Sequence, residues 1–143
     1  MGKINWSRVI LGGVIAGVVI NTAEFLINGL ILAEGWTAAM NALGIDLEAA
    51  ETPGMMAMFL AWGFFYGVIA VWIYAAIRPR FGPGPRTALR AGLVVWLVGY
   101  LAPTAGYSAM GFWPMRLALI ASALGLVEAL VATVLGAWPY KEA

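Results

Sequence analysis

The chain of 143 residues contains no cysteine and no histidine. Without thiols it has no disulfide, thiolate metal site or thiol nucleophile, and without imidazole it has no histidine zinc site, histidine-ligated haem or histidine general base. Charge is scarce as well, at 10% of residues against roughly 25% in a soluble domain. The formal net charge of +1 leaves no electrostatic footprint for a nucleic-acid partner, and none is expected. What fills the chain is apolar: 63% of residues are hydrophobic and the mean hydropathy is +0.90. The expected solvent is a lipid bilayer.

Four apolar stretches approach the roughly 20 residues needed to cross a hydrocarbon core of about 30 Å. They run approximately from Val9 to Leu32, Met55 to Ile77, Ala88 to Met110 and Met115 to Ala137. Asn21, Glu24 and Asn28 interrupt the first, so it reads as a span rather than a cleavable signal peptide, whose core is shorter and uniformly apolar. The fold class expected is all-α: a polytopic membrane protein whose residues 1–143 form a single four-transmembrane-helix domain.

The breaks have local causes. In "ETPG", Thr52 is a candidate N-cap with Pro53 at the first helical position; Pro79 and "RFGPGPR" stop the second span, and Pro114 starts the fourth. A third span ending at Pro103 would have only about 15 residues, too short to cross, so a kinked helix continuing towards Met110 is expected.

Basic residues orient the chain. Lys3, Arg8, Arg78, Arg80, Arg86, Arg90 and Lys141 fall on one side if both termini are cytoplasmic, whereas the other side has Arg116 alone and a first loop carrying Glu34, Asp46, Glu48 and Glu51. The positive-inside rule therefore gives an N-in, C-in topology, although basic side chains can also contact anionic lipids. In the first outer loop, Trp36, Met40 and Leu43 lie at i, i+4 and i+7, which predicts a short interfacial helix anchored by Trp36.

In "GVVINTAEFLINGL" a carboxylate stands between two amides inside a lipid-soluble helix. Gly13, Gly17, Asn21, Glu24 and Asn28 fall within roughly 80° of one another on the helix wheel. Such a stripe faces protein or water. Gly13 and Gly17 make a GxxxG pair for close helix packing, and Asn21 and Asn28 can hydrogen-bond the carboxyl of Glu24. Gly12 lies about 140° from Gly17 and is expected outside that seam. In the fourth span Ala118, Ala121, Ser122, Gly125, Ala129, Ala132 and Gly136 share a face with Glu128 at its edge, and the second span has Gly63 and Gly67. Helix packing is the expected role of Gly13, Gly17, Gly63, Gly67 and Gly125.

A carboxyl at membrane depth usually faces an interior and marks a pathway or proton site. Counted from the outer helix ends, Glu24 lies roughly 12 Å deep and Glu128 roughly 20 Å deep; they are expected to be staggered, as in a relay, rather than paired. Arg116 is a candidate partner for Glu24, or snorkels to headgroups. The competing reading makes both carboxyls neutral, hydrogen-bonded and structural. The outer methionines, with Met55, Met56 and Met58 in "MMAM", offer soft copper(I) ligands or simple gap-filling. Trp113, Trp138 and Tyr140 read as interfacial belt. No catalytic residue, cofactor or other metal site is expected.

"GWTAAMNALG" after the first span, the central hydrophobic hairpin and the closing "GAWPY" resemble small four-span bacterial integral membrane proteins of uncharacterised function. That resemblance implies a bacterial inner-membrane location and no activity. The residues favour a proton-linked or cation/solute transporter or channel using Glu24 and Glu128, with Asn21, Asn28 and Arg116 around them. The alternative is an accessory or scaffold subunit docking through its glycine faces; the third is the outward copper binder. Membrane lipids and a homo-oligomer or larger membrane complex are the expected partners.

Overall fold

Helix α1 (Trp6–Ile31) starts where Asn5 accepts a hydrogen bond from the backbone N–H of Arg8. Two short helices follow it, α2 (Ala33–Ala42) and α3 (Leu47–Ala50). The long α4 (Pro53–Phe81) is capped by Thr52, whose hydroxyl accepts from the N–H of Met55, with Pro53 in the first turn. Helix α5 (Pro85–Ala109) and helix α6 (Met115–Ala137) complete the chain. The computed structural model describes residues 3–142 and contains no strand among them.

Four of these helices, α1, α4, α5 and α6, are long and apolar enough to cross a membrane. Helix α1 packs most extensively on α4 and α5 on α6; α1 also meets α6, and α4 meets α5. The cyclic order is therefore α1, α4, α5, α6. The α4–α5 and α5–α6 turns are short, and α1 runs antiparallel to α4, with Gly13 facing Val68 and Asn21 bonded to Leu60, so the N-terminus of α1, the α4–α5 turn and the C-terminus of α6 share one end of the bundle. That end holds every basic residue except Arg116.

Proline positions show how context overrides a local rule. Pro79 does not stop α4, which continues to Phe81 and ends at Gly82, whose φ of 80° suits a residue without a Cβ. Pro79 forfeits the bond its N–H would make to the Ala75 carbonyl, but only two helical residues follow it, so the lost bond interrupts little of the helix. Pro103 leaves α5 continuous to Ala109, but a wide π turn over Leu97–Leu101 precedes it, with the Ala102 N–H bonded to the Leu97 carbonyl. The wider turn relieves the clash between a proline ring and the carbonyl four residues earlier.

Burial is reversed relative to a soluble bundle. The interior is built from small residues, with Ala16, Ala70, Ala91 and Ala132 at 1% exposure or less, while Phe25, Phe59, Phe65, Val98 and Leu119 are more than half exposed. Small residues inside and large apolar ones outside suit a lipid solvent, where close backbone approach replaces hydrophobic drive between helices.

Glycines make that approach possible. A Cβ added to Gly67 of α4 would strike Gly13 and Gly17 of α1, and one on Gly13 would lie 2.7 Å from the Val68 Cα. A Cβ on Gly17 would meet the Phe64 backbone at 2.8 Å. Gly12, expected outside the seam, is buried in a second one: a Cβ there would strike the Gly136 carbonyl of α6, and one on Gly136 would lie 2.7 Å from the Gly12 carbonyl. Helix α1 sits between two neighbours, so glycines on two of its faces are needed.

Candidate functional site

Glu24 is half-buried near the far end of α1 and Glu128 is 4% exposed in α6. Counting rise along each helix separates them, yet both come near one side chain. Tyr100 of α5 donates its hydroxyl to Glu128 Oε1, and the Glu24 carboxyl is in the neighbourhood of the same phenol without a hydrogen bond to it. Cβ direction explains the difference. Side chains on a helix lean towards its N-terminus, and α1 and α6 run in opposite directions, so the glutamates lean towards each other. The long phenol from a third helix stands near both.

Around this centre the polar groups form a chain. Asn28 donates its side-chain amide to Glu24 Oε2, and the indole N–H of Trp36 donates to Asn28 Oδ1 at 2.9 Å. Asn28 lies in a second π turn, Ile27–Ile31, closed by a 2.8 Å bond from the Leu32 N–H to the Ile27 carbonyl. Thus both π turns of the bundle carry a member of the cluster, Asn28 in α1 and Tyr100 in α5. Such turns often accompany functional sites because they rotate a side chain out of the regular helical register.

An aromatic cap covers the cluster. Trp36 packs edge-on against Trp113 with ring centroids 5.1 Å apart, and Tyr107 lies 4.7 Å from Trp113. Trp36, expected to anchor the short helix at the outer interface, is half-buried and turns its indole N–H inwards to Asn28. Its indole N–H finds an acceptor inside the protein. Below the cap, Tyr66 of α4 packs against Tyr100 at 6.2 Å, and the Tyr100 ring fills the space above Gly125, where a Cβ would lie 2.6 Å from it.

Two features of the cluster are chemically unresolved by the protein's own groups. Glu128 Oε2 is buried with no hydrogen-bond partner. No lysine or arginine among the described residues lies within ion-pair distance of either carboxyl. Arg116 is exposed near the start of α6, and the partnership expected with Glu24 does not form, because the side chain reaches solvent at the helix end more easily than it enters the bundle.

The other expected members separate. Asn21 does not bond Glu24; its amide donates to the Gly17 carbonyl at 2.9 Å and the Leu60 carbonyl at 3.2 Å, fastening α1 to α4. Gly63 accommodates that side chain, since a Cβ there would lie 2.6 Å from Asn21 Cγ. Met56 and Met58 are each 52% exposed and lie about 200° apart around the helix. Met55 is half-buried between them, so the three are spread around the helix rather than stacked on one face.

Comparison with protein-family models, curated proteins and solved structures found no match.

The site therefore rests on its own chemistry. Tyr100 was missing from the sequence reading, in which a tyrosine within an apolar span is indistinguishable from belt or packing. Pro103 was the available signal. A proline three residues on announces a distorted turn, and distorted turns redirect the side chains they contain.

Proposed function

We propose that the protein is a multi-pass membrane protein, with the basic end cytoplasmic in a bacterial inner membrane, and that Glu24, Tyr100 and Glu128 form a proton- or cation-binding site within a proton-linked or cation/solute transport pathway. The observation that carries this reading is Glu128, buried among the helices with one oxygen bonded by Tyr100 and the other unpartnered, with the Glu24 carboxyl nearby and no lysine or arginine among the described residues within ion-pair distance. Two carboxylates sharing a low-dielectric interior repel each other. A bound proton or small cation offsets that charge and satisfies Glu128 Oε2.

Hydrogen bonds run from Trp36 through Asn28 to Glu24 at the capped end and from Tyr100 to Glu128 towards the middle, and the two runs come near each other at Glu24 and Tyr100. Rotation of Trp36 away from Asn28 would open Glu24 to the far side. Helix α2 seats that gate: Ala39 is buried, and Gly35 lies so close to α6 that a Cβ would be 2.9 Å from Leu117 Cδ1. The glycine faces that a scaffold subunit would offer are occupied within the chain, by α1 against α4 and α6. Transport through a homo-oligomer or a larger complex would use the lipid-facing surfaces instead.

Purified protein in liposomes carrying a pH-sensitive dye tests the proposal. Under an imposed potassium diffusion potential, wild-type vesicles are expected to take up protons faster than empty vesicles, with sodium added as the second probe cation. Glu24→Gln and Glu128→Gln should both return the rate to background, because an amide keeps the shape but exchanges no proton. Wild-type vesicles no faster than empty ones with either probe, or variants as active as wild type, would refute it.

A further inference from the structure

We propose that the basic end of the bundle carries a binding pocket for a phosphate ester, in which the ligand replaces Glu142 on Arg78. A cavity of about 400 Å³ opens there between the α4–α5 turn and the end of α6, lined by Tyr74, Arg78, Gly84, Val134, Trp138 and Tyr140 among others. Its volume falls in the range of about 300–1,000 Å³ typical of small-molecule sites.

The walls are fixed. Tyr74 and Tyr140 meet edge-on at 5.8 Å, the Tyr140 hydroxyl accepts from the Asn5 N–H at 3.3 Å, and the Tyr74 hydroxyl accepts from the Gly84 N–H at 3.2 Å. These bonds tie three chain segments to one rim. The Arg78 guanidinium lies over the Tyr140 ring, 5.5 Å from its centroid.

Arg78 is held but not saturated. Its Nη1 pairs with Glu142 Oε1 at 3.1 Å, while its Nε is buried with no acceptor. A guanidinium presents five donors in a planar fork that matches the oxygens of a phosphate. Glu142 lies beyond the end of α6 and its side chain is 35% exposed, so it can leave without disturbing a helix. A phosphate in its place offers oxygens to Nη1 and Nη2, the end-on pair of the fork.

Charge favours the exchange. Lys3, Arg8, Arg80, Arg86, Arg90 and Lys141 stand at the same end, and Glu142 is the acidic residue among them. Trp138 is 83% exposed at the rim, where an indole suits the headgroup level of a bilayer. The phosphate can therefore come from an anionic lipid headgroup or from a soluble phosphate, and the pocket is independent of the Glu24 cluster.

The test uses the full chain in mild detergent, with phosphatidylglycerol, phosphatidylcholine and inorganic phosphate as probes and native mass spectrometry and thermal stability as readouts. Phosphatidylglycerol is expected to bind more tightly than phosphatidylcholine, with Arg78→Gln weakening it about tenfold, the worth of one charge-assisted hydrogen bond. Arg90→Gln is the charge control, since Arg90 lies over the Phe81 ring, 4.5 Å from its centroid, and outside the pocket lining. Glu142→Gln should tighten binding by removing the competitor, and this arm needs no change to Arg78. Protection by inorganic phosphate equal to that by the lipid identifies a soluble phosphate as the source. Equal binding of the two lipids without any effect of phosphate, an Arg78→Gln loss no larger than that of Arg90→Gln, or a Glu142→Gln variant that binds no more tightly would each overturn the proposal.

Discussion

Each residue of the carboxyl cluster depends on a donor or acceptor from another helix or turn. Tyr100→Phe removes the hydroxyl donated to Glu128 Oε1 and leaves both oxygens of a buried carboxyl without a donor. The expected cost is about 1–3 kcal/mol, read as a lower unfolding midpoint in detergent; an unchanged midpoint would show that the bond adds nothing. Glu24, Asn28 and Glu128 were legible because a polar group inside an apolar run is costly and has to be explained. Asn21 was equally visible, but its partner was not, since an amide bonds a nearby backbone carbonyl as readily as a carboxyl. Tyr100 was invisible because its ring belongs in lipid and only its hydroxyl does not. Arg116 misled because its length permits either direction.

At the scale of elements, the four long helices and most of their ends could be read from hydropathy, caps and prolines. The two π turns could not, since an extra residue in one turn leaves the apolar pattern intact. The packing of α1 was half legible: Gly13 and Gly17 mark one seam, but Gly12 belongs to another that only the position of α6 reveals. Gly17→Leu and Gly12→Leu are both expected to lower the unfolding midpoint, with overpacking costs of at least about 1–3 kcal/mol. Gly106 is the proper control, because a Cβ there has nothing within 4 Å. Gly106→Leu matching the other two in instability would remove close packing as the explanation. Pro103→Ala restores a backbone N–H and should relax the π turn at Leu97–Leu101. The expected outcome is a folded protein whose proton uptake falls, and uptake equal to wild type would show that the turn does not position Tyr100.

For the molecule as a whole, small residues inside and large apolar residues outside are compatible with a membrane protein, and the basic residues gather at one end. The absence of cysteine supplies a clean background for testing its orientation. A membrane-impermeant maleimide applied to intact cells should label Glu48→Cys and spare Arg80→Cys; the reverse pattern would invert the topology. Hydropathy made the four spans the most legible feature, since it is a sum over many residues; the orientation drawn from charge is what the maleimide experiment tests. The approach of Glu24 and Glu128 to one neighbourhood required direction as well as depth, because side chains that lean towards each other from antiparallel helices narrow a separation that helix rise alone keeps open.

The most direct measurement of the central claim is infrared difference spectroscopy of the protein in lipid, titrated from acid to alkaline pH. The account predicts a carbonyl band from a protonated carboxyl that disappears in Glu128→Gln, is altered in Glu24→Gln and shifts in frequency in Tyr100→Phe, because the phenol bonds Glu128 and Glu24 lies nearby. A band that is present in Glu128→Gln, or that Tyr100→Phe leaves unmoved, would contradict it.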